Sequence, residues 1–299
     1  MAAHVGQSLP LDAAARTAAA DKRAATIRQA MVMAGVWAFI LAGLVFMVLP
    51  GIWMILSSLK TRAEIVSVPL TLFPRAFQWV NYSTAIDAAH FGTAFRNSII
   101  ITVAVTVANV FTSTWGGFTF GKLRWPGRDK IFLVLLSTLM IPGFLTLIPR
   151  YLIVSKLHML NSYQGMIVPF LAGAFGIFLV RQYMLGIPDE LMDAARVDGA
   201  SALGIYWKIM LPLCMPVVAV LAIFTFEAVW DDLLWGSIIL TKREMWTLPI
   251  TITNLRAQFG ELVELQMAAS TLAMLPVIIV FLVLQRHIIQ GVALSGLKG

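Results

Sequence analysis

Six long apolar stretches divide the sequence, at about residues 31–59, 97–121, 131–149, 164–182, 213–240 and 267–285. A helix needs about 20 mainly apolar residues to cross a hydrocarbon core about 30 Å thick. Lipid offers no partner to an exposed peptide group, so all six stretches are predicted to be α-helices. Pro142, Pro169, Pro216 and Pro276 fall in or near them, and are tolerated where neighbouring helices satisfy the freed carbonyls. The fifth stretch is the least regular, because Glu227, Asp231 and Asp232 interrupt it. The pattern predicts an all-α, polytopic membrane protein: a polar tail over 1–30, six transmembrane helices over 31–285, and a second tail over 286–299. The first tail is Ala-rich and carries Arg16, Lys22, Arg23 and Arg28. The apolar stretch behind it is longer than the roughly 7–15 residues of a signal-peptide core, so it reads as a first spanning helix rather than a cleaved leader.

Composition agrees. The 299-residue chain is 59% hydrophobic and 12% charged, against about 25% charged in soluble domains, and its mean hydropathy is +0.84. The formal net charge of +7 does not indicate nucleic acid. The basic residues lie in short loops rather than on one face with interleaved aromatics. Lys and Arg are more numerous in the segments on the side of the N-terminus, most densely at Lys122, Arg124, Arg128 and Lys130. The positive-inside rule then predicts both termini in the cytoplasm. The same cluster could also meet anionic lipid headgroups.

Candidate chemistry is sparse. Cys214 is the single cysteine, which excludes a disulfide framework and a thiolate metal cluster. His4, His90, His158 and His287 are scattered without metal-ligand spacing, and there is no nucleophile–base constellation. Gly116, Gly121 and Lys122 have the spacing of a phosphate-binding loop, but Leu123 stands where that loop needs Ser or Thr for magnesium. No catalytic site, metal site or nucleotide site of its own is expected. The remaining cluster is Glu227, Trp230, Asp231, Asp232 and Trp235. Carboxylates at membrane depth are costly and point to function. Spacings of three and four would set Glu227, Trp230 and Asp231 on one helical face. Aromatic planes with hydrogen-bond acceptors suit a sugar, so these five residues are candidates for a substrate pathway; packing at the outer interface is the other reading.

Residues 187–212 form the most informative loop. Pro188 suits a first helical turn, and Asp189 and Glu190 lie at the positive end of the helix dipole. Leu191, Ala194, Ala195 and Val197 are expected on one small apolar face. Gly199 marks a stop, since it accepts positive φ; Ser201 caps a second helix, and Pro212 ends the segment. Two short helices joined by a glycine turn are predicted at the cytoplasmic surface. They would form either a docking site for another protein or an amphipathic connector lying on the bilayer.

The run Asp193-Ala194-Ala195, with Arg196, then Asp198-Gly199-Ala200 and Leu211-Pro212, resembles the "EAA" loop of binding-protein-dependent ABC importer permeases. Further resemblance to the carbohydrate branch, related to the maltose-system permeases, covers most of the chain. It runs through Trp79-Val80-Asn81-Tyr82, Arg96-Asn97-Ser98, Pro126-Gly127-Arg128, Ile141-Pro142, Ile148-Pro149, Leu160-Asn161-Ser162-Tyr163, Phe178-Leu179-Val180-Arg181-Gln182, Thr247-Leu248-Pro249, Gln285-Arg286, Gln290-Gly291 and the closing Gly296-Leu297-Lys298-Gly299. Two departures stand out: Asp193 replaces the family's usual Glu, and Asp231 stands where Asn is common.

The resemblance implies a maltose-type permease fold in a bacterial or archaeal cytoplasmic membrane, and a transport subunit rather than an enzyme. In the family this loop is the coupling helix that docks an ATPase, here through residues 188–211. Implied partners are a second homologous permease, two ATP-binding-cassette subunits that use ATP and Mg, and an extracytoplasmic sugar-binding protein, toward which residues 241–265 would reach. Two other readings of the residues stay open. One is an ion-coupled transporter working alone through Glu227 and Asp231; the other is a membrane-embedded enzyme using Asp231 and Asp232 with a metal.

Overall fold

A computed structural model describes residues 11–88, 90–258 and 262–296; for 11–25, 256–258 and 287–296 it describes the backbone alone. Every regular element among the described residues is helical. The chain divides into two compact units, residues 1–56 and 57–299. Helix α1, Leu11–Ser58, carries Pro50 in its interior and is apolar all round over 31–56, as a spanning helix is. The backbone of 11–30 is helical and continuous with this span. Of the polar tail expected over 1–30, residues 1–10 lie outside the described residues.

The second unit is arranged around α3, Phe91–Gly121. At about 1.5 Å per residue, its 31 residues extend about 46 Å. It packs along α6, Ala174–Leu185, and α8, Met215–Trp230; α8 in turn packs against α10, Val263–Gly296. The short helices α2, Val80–Ala88, and α9, Leu248–Gln258, close on α10. The α3–α6 contact explains the glycines that mimicked a phosphate loop. A Cβ on Gly117 would lie 2.6 Å from Val180 Cγ1, and one on Gly116 would lie 3.0 Å from Ile177 Cγ1. A Cβ on Gly121, one turn beyond Gly117, would lie 3.5 Å from Arg181 Cγ, and small residues so spaced let two membrane helices approach closely.

Among the described residues four helices are long and apolar enough to cross a membrane, at Thr26–Ser58, Phe91–Gly121, Tyr163–Leu185 and Val263–Arg286. Two bent pairs complete the pattern: Arg128–Met140 with Gly143–Lys156, bent by 96°, and Ala202–Leu213 with Met215–Trp230, bent by 77°. The predicted third stretch therefore breaks in its middle. It comprises α4, Arg128–Ser137, with a short 3₁₀ turn, and then α5, Leu147–Lys156. Pro142 sits at the break, where it offers no N–H and its ring would clash, in a continuous helix, with the carbonyl four residues back. The predicted fifth stretch is corrected too: its helix ends at Trp230, and Leu234–Ile239 is a separate short helix. Over 286–299, the backbone of α10 stays helical to Gly296.

Three apolar clusters fill the second unit. One joins Phe91, Phe226, Trp230 and Leu248 near the start of α3. A second joins Ile101, Val154, Trp235 and Ile250. The third joins Phe118, Val180, Met192, Tyr206 and Met210 at the far end.

Candidate functional site

At that far end the chain leaves α6 and forms α7, Glu190–Val197. The helix closes with Asp198 as C-cap, and Gly199 turns the chain at φ +81°. Only glycine enters that region without strain. Ser201 then accepts a hydrogen bond from Gly204 N at 3.2 Å and starts the helix Ala202–Ile205. A wide π turn over Tyr206–Met210 follows. It comes just before Pro212, whose ring would otherwise meet the carbonyl four residues back. The two helices and the glycine turn form as the sequence predicts.

The loop is fixed to the bundle by polar and apolar contacts. Lys122, at the C-cap of α3, donates from Nζ to Asp189 Oδ1 at 2.5 Å and to Ile187 O at 2.6 Å. Its side chain is 3% exposed, against 61% for Asp189. The Lys122 ammonium holds the Asp189 carboxyl below the usual aspartate range, against a smaller opposing effect of burial. On the apolar side, Met192 and Ala195 are buried against Tyr206 and Met184. Tyr206 Oη and Thr114 Oγ1 lie 2.8 Å apart, which ties the second helix to α3.

The small face is therefore divided. Ala195 turns inward, while Leu191, Asp193, Ala194, Arg196 and Val197 face out, Val197 at 88% exposure. Neighbouring helical positions differ by about 100°, so Ala194 and Ala195 cannot share one surface when one side of the helix is packed. Asp193 and Arg196 pair at 2.9 Å across one turn. Asp198 and Gly199 are exposed and Ala200 is half-buried. A cleft of about 490 Å³ runs beside the helix, lined by Leu123, Arg124, Trp125, Met192, Asp193 and Arg196 among others.

The second candidate cluster does not stay together. Trp230 is 5% exposed; it stacks on Phe226 at 5.6 Å and donates from Nε1 to Ala273 O at 2.9 Å. Trp235 is 3% exposed and donates from Nε1 to Gly165 O at 3.1 Å. Both are core residues, and the expectation that they offer open aromatic planes is corrected: a large ring with one donor packs best where a carbonyl meets that donor. Asp232 accepts from Trp235 N at 3.0 Å and caps the following short helix. Glu227 and Asp231 are exposed, one turn apart. Glu227 lines an open groove of about 450 Å³ between α3, α8 and the segment leading into α6.

A polar knot near the start of α3 had no role in the sequence pattern. Asn97 Nδ2 donates to Glu244 O at 2.9 Å and to Trp246 O at 3.0 Å, and Tyr163 Oη donates to Asn97 Oδ1 at 2.7 Å. Leu248 N donates to Ser98 Oγ at 2.8 Å. Asn161 Oδ1 accepts from Thr241 N and Lys242 N, each at 2.7 Å. Three of the motifs read as family resemblance, around Asn97, Asn161 and Leu248, are thus one hydrogen-bonded joint. Their signal was present as polar residues at the edges of apolar spans, but their pairing across 66 to 150 positions was not. Asn81 performs the same service for the first loop, donating to Ser58 O and Lys60 O at 2.9 Å.

Among the described residues no group of His, Cys, Asp and Glu could hold a metal ion. His90 and His158 occupy left-handed loop positions. His4 and the side chain of His287 lie outside the described residues.

Comparison with known proteins agrees with this geometry. Residues 113–294 match the family described as binding-protein-dependent transport system inner membrane component. The arabinooligosaccharides transport system permease protein AraQ of Bacillus subtilis strain 168 is 34% identical over 253 residues, covering 84% of this chain and 90% of that protein. The sn-glycerol-3-phosphate transport system permease protein UgpE of Yersinia enterocolitica is 33% identical over 236 residues, covering 76% and 84%. Among solved structures, a chain of a bacterial ABC transporter that imports the acidic polysaccharide alginate superposes with a TM-score of 0.74. It is 26% identical, and the match covers 84% of this chain and 95% of that one.

Proposed function

The chain belongs to the inner-membrane-component family of binding-protein-dependent transport systems and is a permease subunit of such an importer; we propose that its cargo is a sugar and that residues 188–211 dock an ATPase. Arabino-oligosaccharide and alginate transport by relatives supports the sugar. In this reading the four long helices and two bent pairs make six spans, with both termini in the cytoplasm. A second, homologous permease completes the pathway, and two ATPase subunits bind the cytoplasmic side. A soluble or anchored binding protein delivers cargo from outside, where residues 241–265 meet it. This chain performs no bond chemistry, and ATP with Mg is used by the ATPases.

One observation carries the docking role: a rigid two-helix loop that is buried on one side and open on the other. Met192 and Ala195 fix α7 to the core, and Lys122 fixes its start to α3. Asp193, Ala194, Val197 and Asp198 remain open. A partner that closes on ATP binding would move α7 as a body, and α7 would move α3 and α8 with it. The transport cycle is then a shift in population between outward- and inward-open arrangements.

The test is affinity purification of the detergent-solubilised complex from its native membrane, with Gly199→Pro beside wild type and mass spectrometry of the partners. Proline cannot adopt φ +81°, so the second helix is displaced. The ATPase should leave the variant while the second permease stays. Retention of the ATPase at the wild-type ratio would refute the docking assignment.

A further inference from the structure

The groove beside α8 has a composition that bears on which sugars pass. Its walls are largely aromatic and aliphatic, with Phe170, Phe175 and Phe224 among them; Asn109 and Thr225 supply neutral polar groups, and Glu227 supplies the one charge. No lysine or arginine lines it. Among the described residues the Glu227 carboxylate has no hydrogen-bond or ion-pair partner, while Asp231 adds a second exposed carboxylate one turn on. Behind the wall, Arg150 lies 5.0 Å over the Phe170 ring and 5.6 Å over the Trp235 ring. Its guanidinium is thus held against two aromatic faces.

The one charge on the groove is negative, so it repels an anionic cargo and attracts a cationic one. An anionic sugar would need a cation at that place. A neutral sugar needs acceptors for its hydroxyls and flat apolar surfaces for its C–H faces, and the groove offers both. Resting on the importer reading above, we propose that this groove selects cargo by charge: it passes uncharged or amine-bearing saccharides and discriminates against phosphorylated or carboxylated ones, with Glu227 as the specificity-determining residue. This separates the chain from relatives whose names specify glycerol phosphate or alginate.

The test uses the complete importer, both permeases with ATPases and binding protein, reconstituted in lipid vesicles. First, ATP-driven uptake is measured for neutral arabinan-, malto- and xylo-oligosaccharides, and for glycerol 3-phosphate and an alginate trisaccharide. The best neutral cargo is then compared with two derivatives of itself, one oxidised to a terminal carboxylic acid and one reductively aminated. The binding protein is common to all measurements, so a change in ratio between permease variants reports the groove. In wild type the carboxylated form should be transported least. In Glu227→Gln the ratio of carboxylated to neutral uptake should rise about tenfold, equivalent to about 1.4 kcal/mol, whereas Glu227→Asp should keep the wild-type ratio. An unchanged ratio in Glu227→Gln overturns the inference and leaves the importer reading standing. So does preferred uptake of glycerol 3-phosphate or alginate by wild type. Loss of the second permease from Glu227→Gln but not from Glu227→Asp also overturns it, by assigning the carboxylate to the subunit contact. Absence of ATP-driven uptake of every probe overturns the sugar reading, and this inference with it.

Discussion

Lys122 stands just past the last turn of α3, where a helix C-terminus favours a cation. Its ammonium bridges the Asp189 carboxylate and the Ile187 carbonyl, so a single side chain joins the central helix to the docking loop. Hydrogen bonds to charged groups contribute about 1.5–3 kcal/mol when sheltered. Asp189 is more than half exposed, which lowers the share from this pair to about 1 kcal/mol. The lowered Asp189 pKa fixes the pH at which it acts. A carboxylate whose folded-state pKa is depressed stabilises the fold above its unfolded value, about 3.9, and loses that contribution as pH falls through the folded value. The pair's contribution to the melting temperature of the solubilised complex should be constant from pH 8 to about 5, begin to fall near the unfolded value of about 3.9, and be lost only as pH passes below the lowered Asp189 value. Asp189→Asn should lower the plateau and remove that part of the acid loss. An acid limb as steep in the variant as in wild type would rule out the pair as its source.

At the scale of elements, the α3–α6 contact depends on residues that lack side chains. The Cβ of a Gly117→Ala variant would lie 2.6 Å from Val180 Cγ1 and 3.0 Å from the Arg181 backbone nitrogen. The rotamer of Val180 cannot relieve the second contact, so the helices must separate slightly. Overpacking of this kind costs about 1–3 kcal/mol. α6 leads into the loop proposed to dock the ATPase, and α3 is joined to its start through Lys122. Gly117→Ala should therefore lower the melting temperature of the complex and, in the same vesicles, reduce the uptake obtained per ATP hydrolysed. Wild-type values for both would mean that α3 and α6 move independently. The glycine turn at Gly199 differs in kind. A Cβ there would meet nothing within 4 Å, so the constraint is the backbone angle alone.

Over the whole molecule, α3 connects two polar fastenings. Asn97 lies near its start and Lys122 just past its end. At about 1.5 Å per residue the separation is about 37 Å, slightly more than the hydrocarbon thickness of about 30 Å. One fastening thus belongs to each face of the membrane. Asn97→Ala would strand two backbone carbonyls and the Tyr163 hydroxyl, at about 1 kcal/mol for each lost bond. Limited proteolysis from the outer face should then cut near 241–247 at least several-fold faster, while ATPase co-purification stays at the wild-type level. Faster cleavage accompanied by loss of the ATPase would mean that the two ends are not separable.

The sequence by itself determined the helical class, the approximate limits of the spans, the glycine-turned loop and the family. Each is written in local properties: twenty-residue apolar runs, a proline at a first turn, a glycine where φ must be positive. It did not determine which face of a helix looks inward. In a soluble helix, polarity marks the outer face; in a membrane both lipid and core accept the same apolar residues, and the mark is lost. Trp230 and Trp235 consequently read as open platforms and are core, Ala195 read as a docking surface and is packed, and Glu227 read as one of five yet alone lines the groove. The distant pairings of Asn97 and Asn161 escaped notice because a hydrogen bond between segments leaves no trace in the local pattern. Only the packing of α3 against its neighbours decided these, since burial is a property of the contact between helices and not of either helix alone.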